Sequence, residues 1–330
     1  MATAVTEVYL SKSFIIKDKV KYSLLRLLSD VFDQCTNIAI KLHMGERGNK
    51  YYLKPDFVRQ IIDILKELGA KPFLFDSPVV YEGARDTVEK YRTLAKEHGY
   101  SEDSIGCPVI ISDDYVTQKT EFFTSQVCRP LVESDAVLVL SHVKGHECSG
   151  FGGAIKNLGM GALTKETKGL IHSLGVPVLD KEKCTGCGAC LEVCPAHVIS
   201  INEGKFSLKE GCWGCGNCIV NCPNKALKPK VALFDELLAY GAWSAWKNFK
   251  KQFYINVIKD VSRACDCDPN SGPIIADDIG ILFSEDPVAI DAASLSLITE
   301  AQGQDVFLKH NHKNPWLHVN FAEKLGMWNK

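Results

Sequence analysis

The chain has 330 residues, 46% hydrophobic and 24% charged, with a formal net charge of −2. That is enough apolar material for one large core or two ordinary domains, and it lacks the basic excess of a nucleic-acid-binding protein. No apolar run approaches the roughly 18 residues that span a membrane, and Met1–Leu10 has no basic and apolar leader. A cytoplasmic protein with no membrane or nucleic-acid partner is expected. Lys247, Lys250 and Lys251 read as a solvated helix face.

In chain order, Lys19–Phe32 carries Val20, Leu24, Leu27, Leu28 and Val31 at helical spacing. Asn37–Leu42 reads as a buried strand. Lys54–Leu68 opens at Pro55 and closes at Gly69, as helices prefer. Phe73–Phe75 is strand-like, Asp86–His98 helix-like, and Val109–Ser112 and Ala136–Ser141 are further strands. Past a cysteine-rich stretch, Val231–Phe249 reads as a helix, Phe253–Val261 and Ile279–Phe283 as strands, and Asp286–Ile298 as a helix with Asp286 as its N-cap. Strands alternating with helices predict an α/β fold, a mostly parallel sheet flanked by helices. The composition shift divides it into a first part over 1–176, an insert over 177–229 and a second part over 230–330.

The insert holds eight of the 14 cysteines. Cys184, Cys187, Cys190 and Cys194 precede Pro195 in the run C-x2-C-x2-C-x3-C-P, and Cys212, Cys215, Cys218 and Cys222 repeat it before Pro223. Zinc ribbons use paired rather than triple C-x2-C units, and disulfides do not require this spacing. The repeat resembles bacterial-type ferredoxins with two [4Fe–4S] clusters, in which the fourth cysteine of each run ligates the other cluster. The resemblance implies one cluster on Cys184, Cys187, Cys190 and Cys222, and a second on Cys212, Cys215, Cys218 and Cys194. Gly186, Gly188, Gly214 and Gly216 remove side chains where the backbone passes a cluster. Phe206 and Trp213 are expected to shield the clusters from water.

Before the insert, the strand Ala136–Leu140 runs into the glycine-rich segment Ser141–Gly161. A helix opening near Gly152 would present its N-terminus to an anion, at the strand ends where α/β proteins bind ligands. Lys144, His146, Lys156 and Asn157 are the candidate catalytic or binding residues there. Neither a Walker A loop nor a dinucleotide fingerprint is present.

Lys144-Gly-His146, Gly152-Gly-Ala-Ile-Lys156-Asn157-Leu-Gly159, Asp277-Asp278-Ile-Gly280 and Asp286-Pro287-Val-Ala-Ile-Asp291 together resemble the domain of unknown function 362 family, over most of residues 5–300. The resemblance implies the domain layout with a ferredoxin insert, and no substrate.

Cys265 and Cys267 stand two apart and face one side of an extended chain. They are read as ligands of an additional metal ion with His146 or Cys148, as buried inert thiols, or as a redox pair. Asp277, Asp278 and Asp291 carry little signal singly, and Cys35, Cys107 and Cys128 read as packing residues. Two functions follow. One is an iron–sulfur reductase acting on a small anionic molecule held in the α/β domain. The other is a ferredoxin-like electron carrier that docks a redox partner protein.

Overall fold

The computed structural model describes residues 6–328; residues 1–5 of the N-terminal reading lie outside them. A seven-stranded sheet is built from β1 (Tyr9–Ser11), β2 (Asn37–Lys41), β3 (Lys71–Asp76), β4 (Val109–Ile111), β5 (Ala136–His142), β6 (Gln252–Ile258) and β7 (Gly280–Ser284). Its order is β1-β7-β6-β5-β2-β3-β4. β6, β5, β2, β3 and β4 are parallel to one another, and β7 runs antiparallel to both of its neighbours.

The period-two alternation of side chains divides each strand between two cores. Ile38, Ile40, Leu138 and Leu140 face one core, under helices α1 (Asp18–Val31) and α2 (Pro55–Glu67). Ala39, Val137 and Val139 face the other. That second face is covered by α4 (Ala154–Lys156, continued by a π turn over Asn157–Gly161), α5 (Lys165–Leu174), α6 (Phe234–Asn248) and α7 (Pro287–Gln302). The sheet is therefore mostly parallel and flanked by helices on both faces, as the alternating pattern predicts. No helix among the described residues is long and apolar enough to cross a membrane.

Several ends differ from the sequence reading, each for a local reason. Helix α3 (Val88–Glu97) begins late because the Thr87 side chain caps it by accepting from the Lys90 amide at 3.2 Å. β6 stops at Ile258 because Asp260 takes a left-handed conformation, φ 47°, after which Val261–Ser262 pairs with Ile274–Ala276. α6 starts only at Phe234, because the amides of Lys230 and Val231 bond back to Val176 and Leu174. The glycine-rich segment first folds as a hairpin, Lys144–His146 against Gly150–Gly152, and the helix opens at Ala154. Asp286 caps α7 as expected, accepting from the amides of Val288 and Ala289 at 2.8 and 2.9 Å.

The start of α4 is fixed from within. The buried Asp291 carboxylate of α7 accepts from the amides of Ala154 at 2.7 Å and Ile155 at 2.9 Å, and from Asn256 Nδ2 at 2.8 Å. Gly153 is required there, since a Cβ would lie 2.3 Å from Asp291 Oδ1. Helix N-termini attract anions, and here the protein supplies its own.

The cysteine-rich segment leaves and re-enters the domain through a two-stranded stem that pairs Pro177 with Pro229, Val178 with Lys228 and Leu179 with Leu227. Inside it lie a hairpin, Ile199–Asn202 with Lys205–Leu208, and a small core around Cys194, Ile199, Cys218 and Leu227.

Burial raises the Asp291 carboxyl to about 6, against the hydrogen bonds that favour its charged form. An unfolded aspartate titrates near ~3.9. The folded state therefore holds the extra proton between these values. The group's contribution is present below the lower value and lost as pH rises through the upper. We expect the urea midpoint of the wild type to fall relative to Asp291→Asn between about pH 4.5 and 6.5. A constant difference would show that this carboxyl does not titrate there.

Candidate functional site

Between β2 and β5 the strand order reverses: β3 and β4 follow on one side, β6 and β7 on the other. In open α/β sheets such a switch point opens a crevice at the carboxyl ends of the strands. A cavity of about 170 Å³ lies there, lined by Lys41 at the end of β2 and His43 after it, Asp76 and Ser77 at the end of β3, and Ser141 and His142 at β5. It has room for a small molecule or several waters.

Among its charged lining residues cations outnumber anions: Lys41, Arg85, Lys144, Lys156 and Lys168 face it, against the carboxylates Asp76 and Asp266. Lys41 Nζ pairs with Asp76 Oδ1 at 2.9 Å and donates to Asn157 Oδ1 at 2.8 Å. Burial alone would raise the Asp76 carboxyl, but the ammonium groups of Lys41 and Lys168 and the hydrogen bond from Tyr91 outweigh it and bring it to about 2. Arg85 pairs with Glu46 at 2.9 Å and reaches His43 Nε2 at 2.6 Å. Burial, reinforced by that guanidinium, keeps His43 neutral. His142 Nδ1 lies 2.9 Å from Asp266 Oδ2, and Lys144 Nζ 3.7 Å from Asp266 Oδ1. These partners hold the Asp266 carboxyl far below its usual range despite its burial. Lys168 bonds only neutral oxygens directly, Ser77 Oγ at 2.7 Å and the carbonyls of Ser77 and Pro78. Burial lowers it to about 8, partly offset by Asp76.

At one side of the cavity the side chains of His146, Cys265 and Cys267 bring one ligand atom each within 4.8 Å of the others. Lys156 Nζ lies 3.5 Å from Cys265 Sγ, and the Cys267 amide donates to the same sulfur at 3.3 Å. The hydrogen bond shared with Cys267, opposed by burial and aided by Lys156, draws the Cys265 thiol down to about 6. Cys267, on the other side of that bond, is pushed well above its ordinary range. His146 Nδ1 accepts from the amides of Cys148 and Ser149 at 3.1 and 3.2 Å. Its ring proton therefore sits on Nε2.

Cys148 does not join this group, contrary to the sequence reading. Its thiol is hydrogen-bonded to Cys215 of the cysteine-rich segment. In that segment one cavity is lined by Cys184, Cys187, Cys190 and Cys222, and another by Cys194, Cys212, Cys215 and Cys218. Four thiols per cavity is the donor set of a [4Fe–4S] cubane, so the residues fit such a group. Backbone amides already point at two of the sulfurs, Gly214 N at Cys212 (3.4 Å) and Ala226 N at Cys222 (3.3 Å). Phe206 lines the first cavity and Trp213 the second. Trp213 is a weaker shield than expected, because it stays 41% exposed.

The second cavity is the one docked on the α/β domain. Gly214 packs so tightly that a Cβ would lie 1.8 Å from the His172 carbonyl, and His172 Nδ1 lies 2.6 Å from the Trp213 carbonyl. His172 itself lines the central cavity. Lys313 Nζ donates to the Cys215 carbonyl at 2.7 Å and pairs with Asp235 at 2.6 Å, both side chains fully buried. Cys187, in the other set, is exposed.

All four candidate residues of the glycine-rich segment line the central cavity, though not as anticipated. The helix N-terminus is closed to an outside anion by Asp291. Lys144 is held by Asp266 and by the Asp260 carbonyl at 2.5 Å. Asn157 braces Lys41, Leu140 and Ser141. Lys41, Asp76, Arg85, Lys168 and Asp266 were missed. Lys41, Asp76 and His142 had a signal, as polar residues ending apolar strands. Cys107 and Cys128 are buried and Cys35 half-buried, as packing residues should be.

The fold and cavity define an α/β protein with a cavity at a topological switch point. The chain belongs to the family described as Domain of unknown function (DUF362), whose model matches residues 38–296. No curated protein matches it in sequence. Among solved structures, a protein from Thermotoga maritima is similar at 12% identity and a TM-score of 0.47, over 96% of this chain and 61% of that one. The lactate racemase apoprotein from Thermoanaerobacterium thermosaccharolyticum is similar at 13% identity and a TM-score of 0.36, over 72% of this chain and 48% of that one. The chain thus spans less than two thirds of either structure.

Removing one partner of a buried ion pair costs about 3–5 kcal/mol, whereas an apolar replacement of both is close to neutral. We expect Lys313→Met to lose that much in chemical denaturation and Lys313→Met/Asp235→Leu to recover most of it. A single variant losing under about 1 kcal/mol would show that the pair does not fasten the cysteine-rich segment.

Proposed function

We propose that the protein is an iron–sulfur oxidoreductase that reduces a small anionic molecule in the switch-point cavity. In this reading residues 177–229 are a ferredoxin-like insert between two parts of one α/β domain. Its cysteines hold two [4Fe–4S] clusters in the crossed arrangement, which supply single electrons. The observation that carries the proposal is the contact of Cys148 with Cys215. Through it one cysteine set touches a residue two positions from His146, which lines the cavity. The other set, with Cys187 exposed, faces the side from which a redox partner protein would deliver electrons.

The chain's own residues have separate tasks. Lys156 and Lys168 are the cations without a carboxylate at bonding distance among the described residues, so they attract the anion. Lys41 and Asn157 fix the cavity floor. His146, neutral and protonated on Nε2, offers a hydrogen bond and not a positive charge. The alternative, a carrier whose α/β domain only docks a partner, leaves Lys156 and Lys168 at the cavity without a task.

Protein purified without oxygen should contain about eight irons and eight sulfides per chain. In electron paramagnetic resonance, Cys194→Ala and Cys212→Ala should lose one and the same cluster signal, and Cys184→Ala and Cys222→Ala the other. Loss of a common signal in Cys194→Ala and Cys184→Ala would overturn the crossed arrangement. Iron-free protein from an anaerobic preparation would overturn the function.

A further inference from the structure

We infer that Cys265 and Cys267 form a redox dithiol that reduces an anionic small-molecule disulfide in the cavity, and do not hold a metal ion. The electron supply rests on the function proposed above; the dithiol itself rests on geometry.

Three observations argue against the metal. A ligating imidazole donates its second ring N–H to an acceptor. His146 does the reverse: Nδ1 accepts from two backbone amides, so Nε2 keeps its proton and has no lone pair for a metal. The Lys156 ammonium stands 3.5 Å from Cys265 Sγ, where it favours a thiolate and repels a second cation. Cys148, which would complete a tetrahedral set, is turned toward Cys215. What remains is two thiols sharing a hydrogen bond, both partly open to the cavity.

These features suit thiol–disulfide exchange, which needs a thiolate attacker, a second thiol within reach and access for the substrate. Lys156 marks Cys265 as the attacker. Its thiolate bonds to one sulfur of R–S–S–R′, the ligand's S–S bond breaks, and R′S⁻ leaves. Cys267 then gives up its proton and attacks Cys265, the mixed disulfide breaks, and RS⁻ leaves. One product takes the Cys267 proton and the other a proton from solvent. Two electrons, which clusters held by the cysteine-rich segment would supply, and one proton restore the thiolate and thiol. In sum, one disulfide, two electrons and two protons give two thiols. The cationic lining selects disulfides that carry carboxylate or similar charges.

Three measurements on the full chain, prepared without oxygen, test this. Metal analysis should find cluster iron alone, unchanged in Cys265→Ala/Cys267→Ala; a zinc, nickel or extra iron lost in that variant would overturn the dithiol. After treatment with diamide, peptide mass spectrometry should find a Cys265–Cys267 disulfide. Dithionite should reopen it in the wild type within the time that it persists in Cys184→Ala/Cys212→Ala. A pair that stays alkylatable after diamide would overturn the inference. A disulfide that forms and is reopened equally fast in both proteins would leave the dithiol standing and overturn the cluster-fed function. Finally, in Cys267→Ser, dianionic 3,3′-dithiodipropionate should trap a mixed disulfide on Cys265 roughly tenfold faster than neutral hydroxyethyl disulfide, an alkyl disulfide with a similar leaving group. Equal rates, or trapping on other cysteines only, would overturn the anionic substrate class.

Discussion

The carboxylate of Asp291 is the contact on which the site depends. It joins α7 to the first amides of α4 and, through Asn256, to the middle of β6. Lys156 and Asn157 lie immediately after those amides, so the direction in which α4 leaves the sheet decides where both side chains point. A buried charge is costly unless it is fully hydrogen-bonded. Three donors meet this one, and the arrangement leaves the α4 N-terminus no freedom to receive anything else.

The cavity is built from charges that mostly cancel. Asp76 answers Lys41, Glu46 answers Arg85, and Asp266 answers His142 and Lys144. Each pair fixes two side chains that start from different elements, so the lining is rigid before any ligand arrives. Pre-organisation of this kind lowers the cost of binding. The surplus positive charge is concentrated at Lys156 and Lys168. One stands over the thiol pair and the other over the carbonyls after β3, so an anion between them lies beside sulfur.

Much of the scaffold was legible because it is local. Pro55, Gly69 and the Asp286-Pro287 pair mark helix ends through capping chemistry that needs no partner far away. The buried strands read from apolar runs alone. The site was only half legible, because its partners are distant in the chain. Lys41 and Asn157 are 116 residues apart, and His142 and Asp266 are 124 apart. Nothing near Asp291 in the sequence says that it caps a helix 137 residues away. The grouping of the eight cysteines was legible only through the resemblance of their repeat to two-cluster ferredoxins. Cys148 had no such signal, since its neighbour is chosen by how the insert docks.

The stem of the cysteine-rich segment has a further consequence. Its two strands begin and end in register, Pro177 opposite Pro229, so the polypeptide departs from the α/β domain and returns to it at the same place. Closing such a gap with a short turn costs little entropy and leaves the order of the sheet untouched. The segment is therefore a detachable cassette. One lineage could gain it, lose it or exchange it for another segment while the sheet kept its order.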